Sequence, residues 1–168
     1  MIRWLRLSIV LAVLAGGAIA AWYWPALPER VASHFDAAGR PNGWSSRESF
    51  VGLMVGMTVF HAALFLGIEQ VVRRSPKKWI NLPHKEEWLS PGREARTREI
   101  LAGHLLALGL ATIVLVDLVS AMTLATNAGS APRLGAGAWI LLAGFVATTL
   151  GIVVRMLVVF GRRPAGTD

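Results

Sequence analysis

The sequence predicts an all-α integral membrane protein: a four-transmembrane-helix bundle with both termini cytoplasmic and a small extracytoplasmic hairpin between helices 1 and 2. Of its 168 residues, 54% are hydrophobic and only 16% are charged, whereas a soluble domain carries about 25% charged residues. The apolar residues fall into four blocks, each close to the roughly 20 residues that cross a bilayer. We therefore interpret residues 1–168 as a single polytopic membrane domain.

The four apolar blocks give the predicted helices. They cover residues 7–24, 50–72, 100–126 and 134–160. The first block also fits a cleaved signal peptide, because the N-terminus is basic and residues 18–20 resemble a cleavage site. The apolar run nevertheless continues to Trp22, Tyr23 and Trp24, which are typical of the aromatic belt at a membrane surface. This continuation favours a retained helix.

The distribution of basic residues predicts the orientation. Of the 17 Lys and Arg residues, thirteen lie in the N-terminal segment, the loop 73–99 and the C-terminal end, and four lie in the loops 25–49 and 127–133. Cytoplasmic segments carry the excess of Lys and Arg. Both termini and the loop 73–99 are therefore predicted to face the cytoplasm, and the loop 25–49 to face outward.

The outer loop is rich in turn signals. Pro25 and Pro28 end the first helix, and residues 36–39 and 41–43 are two successive turn signals. We predict a hairpin that lies on the membrane surface. A short amphipathic helix at 28–36 is the alternative, because Pro28 suits the first turn of a helix.

The same loop holds the strongest candidates for ligand binding. In a strand, residues two apart share a face, so His34 and Asp36 would be neighbours. Such a pair suits a metal site, a proton relay or a ligand clamp; the simpler interpretation is that both side chains hydrogen-bond the turn backbone. One His and one Asp are too few for a metal site without further ligands. The predicted ligand-binding residues are His34, Phe35, Asp36, Gly39, Asn42 and Trp44.

Two helix starts are predicted from capping residues. Ser45 and Glu48 have the spacing of a capping box that begins the second helix. Ser90 and Pro91 look like the N-cap and first residue of a helix that continues into the third span.

The central loop 73–99 is interpreted either as a solvated basic loop or as a docking surface for a cytoplasmic partner. Trp79 and Trp88 are expected at the membrane interface, with the basic residues facing anionic headgroups. Residues 84–87 are not a zinc-protease motif, because position 88 is Trp where that motif needs a second His. The docking residues would be Asn81, Lys85, Trp88 and Arg93.

Five ionisable residues lie inside the predicted spans: His61, Glu69, His104, Asp117 and Arg155. Such residues are costly in a bilayer and are functional candidates for that reason. We predict a structural ion pair between Glu69 and Arg155, near His104, rather than a proton path. Asp117 is expected to hydrogen-bond His61 or to reach toward the outer loop.

Two runs carry a resemblance to a known family. The first is Leu27-Pro28-Glu29-Arg30-Val31 with His34-Phe35-Asp36, Gly39 and Asn42-Gly43-Trp44; the second is Asn81-Leu82-Pro83 with Lys85, Trp88-Leu89 and Arg93. Together, over residues 7–126, they resemble the N-terminal membrane domain of unknown function of SdpI-type proteins. The resemblance implies immunity to a secreted toxic peptide, or the holding of a transcriptional repressor at the membrane. It implies no catalytic residue. We expect the larger C-terminal membrane region of SdpI itself to be missing.

Three functions follow as hypotheses. The first is a non-enzymatic protein of the bacterial plasma (inner) membrane that binds an extracytoplasmic ligand or peptide, and signals or gives immunity. The second is an accessory or scaffolding subunit of a larger membrane complex. The third is a small membrane enzyme or transporter that uses His34, Asp36, His61 and Asp117.

The expected partners are the lipid bilayer, an extracytoplasmic peptide or a membrane protein, and a second copy of the chain. Gly52 and Gly56 have a spacing that permits close packing of helices, within the bundle or between copies. Direct binding of nucleic acid is not expected, because the basic residues flank membrane spans. The sequence identifies no cofactor, and the absence of Cys excludes disulfides.

Overall fold

The structure is a computed structural model that describes residues 1–164. It contains four long helices, one single-turn helix and a two-stranded sheet. In chain order the elements are α1 Ile2–Tyr23, β1 Arg30–Phe35, β2 Pro41–Ser46, α2 Arg47–Arg74, α3 Lys85–Trp88, α4 Glu94–Asn127 and α5 Gly137–Phe160. Helices α1, α2, α4 and α5 are each long and apolar enough to cross a membrane. The four predicted helices are thus present, and α2 and α4 extend beyond their predicted ends.

Helix α4 is the centre of the bundle. It packs along both α1 and α2, whereas α5 packs mainly against α4. Ile9 of α1 and Leu106 and Ile113 of α4 are fully buried in one core cluster. Gly109 permits the close contact of α4 with α2, because a Cβ atom there would overlap the ring of Phe65.

The segments that connect the helices lie at the two ends of the bundle. At one end, called the basic end, the N-terminal turn, residues 75–93 and residues 161–164 come together; for example, the indole of Trp88 donates a hydrogen bond to the carbonyl of Arg162 at 3.1 Å. At the other end, called the hairpin end, the β1–β2 hairpin meets the segment between α4 and α5 through the bond from Leu134 N–H to Gly39 C=O at 3.0 Å. These are the same two groups of segments that the Lys and Arg count separates.

Helix α2 begins one residue later than its predicted capping box. The N-cap is Ser46, whose hydroxyl accepts a hydrogen bond from the backbone N–H of Ser49 at 3.2 Å. Ser45 instead lies on β2, and its buried hydroxyl has no partner among the described residues. The box from Ser45 to Glu48 is therefore wrong by one position, because β2 continues through Ser46.

The predicted start of the third span at Ser90 and Pro91 is also wrong. Helix α4 begins at Glu94, and the hydroxyl of Ser90 donates backward to the carbonyl of Glu87 at 3.0 Å. Ser90 therefore closes the turn after α3 and does not cap α4. Arg98 of α4 instead donates to the carbonyls of Val72 and Ser75, at 2.6 and 2.8 Å, and so caps the C-terminus of α2.

Candidate functional site

The loop 25–49 folds as an antiparallel hairpin. β1 pairs with β2, and the register shifts between Ala32 and His34 and again between His34 and Phe35. Because of these irregularities the burial does not alternate, and the neighbours Val31 and Ala32 are both fully buried. The hairpin was predicted, and the alternative helix at 28–36 is wrong.

Asp36 stabilises the hairpin turn. Its Oδ1 accepts hydrogen bonds from the backbone N–H groups of Ala38 and Arg40, at 2.9 and 2.8 Å. For Asp36 the simpler interpretation, a carboxylate that fixes the loop, is confirmed. His34 is exposed on β1 opposite Gly43, and no hydrogen bond joins it to Asp36 in the part of the chain that the structure describes.

Asn127, the last residue of α4, anchors the hairpin to the helix bundle. Its side-chain oxygen accepts from the N–H of Ala32 at 2.7 Å, and its side-chain nitrogen donates to the C=O of Ala32 at 3.0 Å. The same nitrogen donates to the carbonyl of Thr123 at 2.9 Å. Asn127 is 2% exposed. A buried amide that binds both backbone groups of one strand residue fixes the position of that strand.

Gly39 makes the second anchor, at the tip of the hairpin. Its φ is 74°, a conformation that glycine adopts without steric cost. Its carbonyl accepts from the N–H of Leu134, and a Cβ atom at Gly39 would overlap the carbonyl oxygen of Leu134. The partner segment is itself held, because the hydroxyl of Thr126 bonds both the N–H and the C=O of Arg133, at 2.7 and 2.9 Å.

A groove of about 190 Å³ lies between the hairpin and the start of α5. We call it the hairpin groove. It is lined by Phe35, Asp36, Gly39, Leu134, Gly135, Ala138, Trp139 and Leu142. Trp139 is 58% exposed. The lining is mostly apolar, with a carboxylate at the rim, and this suits the apolar part of a ligand.

Three of the six predicted ligand-binding residues line the hairpin groove. Phe35, Asp36 and Gly39 line it, whereas His34, Asn42 and Trp44 are exposed elsewhere on the hairpin. Trp139 and Asn127 were not predicted from the sequence as residues of this site. An aromatic residue at the start of the fourth span was the available signal for Trp139. For Asn127, nothing in the sequence indicates a partner near residue 32.

Asp117 lies buried where α1, α2 and α4 meet. Its Oδ1 accepts a hydrogen bond from the hydroxyl of Thr58 at 2.8 Å, and Gly16 of α1 lies against the same carboxylate. The predicted bond to His61 is wrong. Instead, Nδ1 of His61 lies 2.7 Å from the carbonyl oxygen of Met57, which is one turn earlier in the same helix, α2.

Glu69 is fully buried and binds residues of α1 and α2. Arg6 donates to both carboxylate oxygens, with its shortest distance 2.7 Å, and Arg73 lies 3.5 Å from one of them. The predicted pair between Glu69 and Arg155 is therefore wrong. Arg155 lies on α5, which packs against α4, whereas the N-terminal turn of α1 crosses the end of α2.

The four predicted docking residues all lie at the basic end, within residues 75–93. Trp88 packs its ring edge-on against Phe160, with centroids 5.2 Å apart. Lys85 donates to the carbonyl of Lys78 at 3.4 Å, Arg93 occupies the N-cap position of α4, and Asn81 is exposed. Trp88 thus joins the central loop to the end of α5. In residues 1–164, no group of three or more His, Asp or Glu residues is arranged to hold a metal ion.

Comparison with known proteins gives one match. Residues 11–59 match the sequence model of a family described as a domain of unknown function, DUF1648. The match takes in most of α1, the whole hairpin and the first part of α2. It coincides with the first of the two runs that carry the resemblance, and it does not reach the second. No curated protein and no solved structure matches the chain.

Proposed function

We propose that this chain is a non-enzymatic, multi-pass protein of the bacterial plasma membrane that binds an extracytoplasmic peptide in the hairpin groove. The observation that carries the proposal is the double anchoring of the hairpin, by Asn127 at Ala32 and by Leu134 at Gly39. The two anchors hold Phe35 and Trp139 on opposite sides of an open groove. A site of this kind is formed before the ligand arrives.

Rigidity favours binding, because a preorganised site loses less conformational entropy when a ligand is bound. Exposed aromatic residues favour a protein or peptide ligand, since Trp and Tyr are enriched among residues that dominate binding energy. The resemblance to SdpI-type proteins points to a secreted peptide, and with it to a role in immunity or signalling. The hairpin lies inside the segment that matches the DUF1648 model, which supports placing the site there.

The orientation can be tested first, because the chain contains no Cys. Two single-cysteine variants, Ala37→Cys at the hairpin and Lys78→Cys at the basic end, both replace exposed residues. In spheroplasts, a membrane-impermeant maleimide should label Ala37→Cys. It should label Lys78→Cys only after permeabilisation. The reverse pattern would place the hairpin in the cytoplasm and exclude an extracytoplasmic site.

Binding is tested on protein in zwitterionic nanodiscs, with two fluorescent amphipathic peptides as probes, one built from Leu and Lys and one from Leu and Glu. We expect saturable binding of at least one peptide. Trp139→Ala should weaken that binding about 30-fold, the effect of losing a hot spot of about 2 kcal/mol. Trp22→Ala is the control, because Trp22 is 81% exposed and lies outside the groove. Equal effects of the two variants, or no saturable binding, would contradict the proposal.

A further inference from the structure

A second groove, called the lateral groove, runs along the side of the bundle between α1, α4 and α5. It has two adjoining parts, which share Leu5 and Ala107. The larger part, of about 530 Å³, is apolar and is lined by Leu5, Ala107, Leu110, Ala111, Val114, Leu115, Ile140, Leu141, Gly144, Phe145 and Thr148. The smaller part, of about 190 Å³, includes His104 and Arg155. The groove is therefore apolar along most of its length and cationic at one end.

Arg155 has no acidic partner in the described part of the chain, and its side chain is exposed. Glu69, which the sequence predicts as the partner of Arg155, is instead bound by Arg6 and Arg73. A cation on the lipid-facing side of a transmembrane helix is stabilised by an accompanying anion or water. Nδ1 of His104 lies 2.8 Å from the carbonyl oxygen of Ile100, so a proton on Nδ1 leaves Nε2 as an acceptor. Arg155 is therefore the hydrogen-bond donor that the groove offers to an anion.

The groove has the dimensions of one leaflet. Arg155 lies about 7 Å from the end of α5 at the basic end. On α4 the lining runs from Gly103 to Leu115, which is about 18 Å of helix. Half of a hydrocarbon core of about 30 Å is of similar length. An anion at Arg155 would thus be at headgroup level, with the apolar part beneath it.

We propose that the lateral groove binds an anionic phospholipid, with its phosphate at Arg155 and one acyl chain along the apolar part. Basic pockets between transmembrane helices are known sites for anionic headgroups. A second copy of the chain that used the same groove fits less well, because the residues that line the groove include Arg155 and no carboxylate. The proposal rests on membrane insertion but not on the ligand assigned to the hairpin groove.

The headgroup is tested by native mass spectrometry of the detergent-purified protein, with dioleoyl phosphatidylglycerol and dioleoyl phosphatidylcholine as probes. The wild type should retain phosphatidylglycerol about tenfold better than phosphatidylcholine, and Arg155→Gln should reduce this ratio to near one. Arg155→Lys keeps the charge and should retain most of the preference. The control Arg162→Gln removes an exposed charge at the same end of the molecule and should leave the ratio unchanged. Equal losses in Arg155→Gln and Arg162→Gln would overturn the proposal, because they would show attraction by net charge alone.

The acyl chain is tested with a pair of glycines on α5. A side chain at Gly144 or Gly151 would meet nothing within 4 Å, but only Gly144 is among the residues that line the groove. Gly144→Leu should reduce the binding of both lipids several-fold, and Gly151→Leu should not. Unchanged lipid binding in Gly144→Leu would overturn the proposal. So would a wild-type dimer that Gly144→Leu dissociates. A protein that passes the maleimide test but shows no lipid preference refutes this inference and leaves the proposed function standing.

Discussion

Asp117 shows how a single polar residue is accommodated inside the bundle. Thr58 donates a hydrogen bond to its carboxylate from α2, and the absence of a side chain at Gly16 lets α1 approach the same group. Ser120, one turn further along α4, satisfies its own hydroxyl by donating to the carbonyl of Val116 at 2.7 Å. Asp117 therefore lies at the contact of three helices, α1, α2 and α4, and its role there is structural.

Gly16→Ala should destabilise the protein, because the new Cβ atom would lie 2.5 Å from Oδ1 of Asp117. Overpacking of this kind costs about 1–3 kcal/mol, and we expect a lower midpoint of thermal unfolding in detergent. The neighbouring Gly17 offers a matched control, since a Cβ atom there meets nothing within 4 Å. Equal midpoints of thermal unfolding for Gly16→Ala and Gly17→Ala would contradict the close approach of α1 to Asp117.

At the scale of elements, the hairpin depends on α4 and on the segment that follows it. Asn127 binds the backbone of Ala32, and Leu134 binds that of Gly39. An isolated two-stranded hairpin is marginally stable in water. These two contacts, with Val31 and Leu124 buried together beneath them, supply the stability that two strands lack.

Asn127→Ala should loosen the hairpin without unfolding the helices. It leaves both backbone groups of Ala32 without their protein partner, and a buried unsatisfied group costs about 1–3 kcal/mol. Amide hydrogen exchange in β1 should become about tenfold faster or more, while exchange in α2 stays the same. Asn42→Ala, on the exposed face of β2, serves as the control. Undiminished protection of β1 in Asn127→Ala would show that other contacts hold the strand.

Gly39→Ala should have a stronger effect on the hairpin groove than on overall stability. Alanine in the left-handed conformation costs about 1–2 kcal/mol, and its Cβ atom would also overlap the carbonyl of Leu134. The turn must then move away from the start of α5, which widens the groove around Trp139. Peptide binding should weaken while the thermal midpoint falls only slightly. Unchanged binding with a large fall in stability would contradict this account.

The elements themselves were largely predictable from the sequence, because their signals are local. Apolar blocks gave the four spans, and paired turn signals gave the hairpin. The helix starts at Ser45 and Ser90 were wrong by one and three residues, since a cap depends on whether the preceding strand or turn continues. The irregular register of β1 on both sides of His34 was not predicted, because no residue pattern in the loop marks it.

At the scale of the molecule, the pair between Arg6 and Glu69 fixes α1 against α2 at the basic end. Glu69 is fully buried, and Arg6 contacts both of its oxygens. Sequence reasoning chose Arg155 as the partner because depth along each helix can be estimated from the chain. Depth does not say which helix faces which, and the choice failed for that reason.

Arg6→Ala should destabilise the bundle by about 2 kcal/mol. Loss of one partner of a buried pair costs about 3–5 kcal/mol, and Arg73 at 3.5 Å offsets part of this loss. Arg6→Ala combined with Glu69→Gln should be more stable than Arg6→Ala alone, because no unpaired charge is then buried. Arg3→Ala, which removes an exposed cation of the same helix, should be neutral. Urea or thermal unfolding in mixed micelles is measured for the wild type, for Arg6→Ala, for Glu69→Gln and for the double variant. Additive losses in these variants would refute a direct coupling.

The bond from Ala32 to Asn127 has a consequence for biogenesis. Its two partners are 95 positions apart, so α1, the hairpin and α2 leave the ribosome long before Asn127 does. The segment 11–59, which matches the DUF1648 model, therefore contains only one partner of this bond. A chain truncated after α2 would keep the pairing of β1 with β2, but the N–H and C=O groups of Ala32 would lack their partner Asn127. The hairpin groove is thus completed only when α5, which carries Trp139, has followed α4.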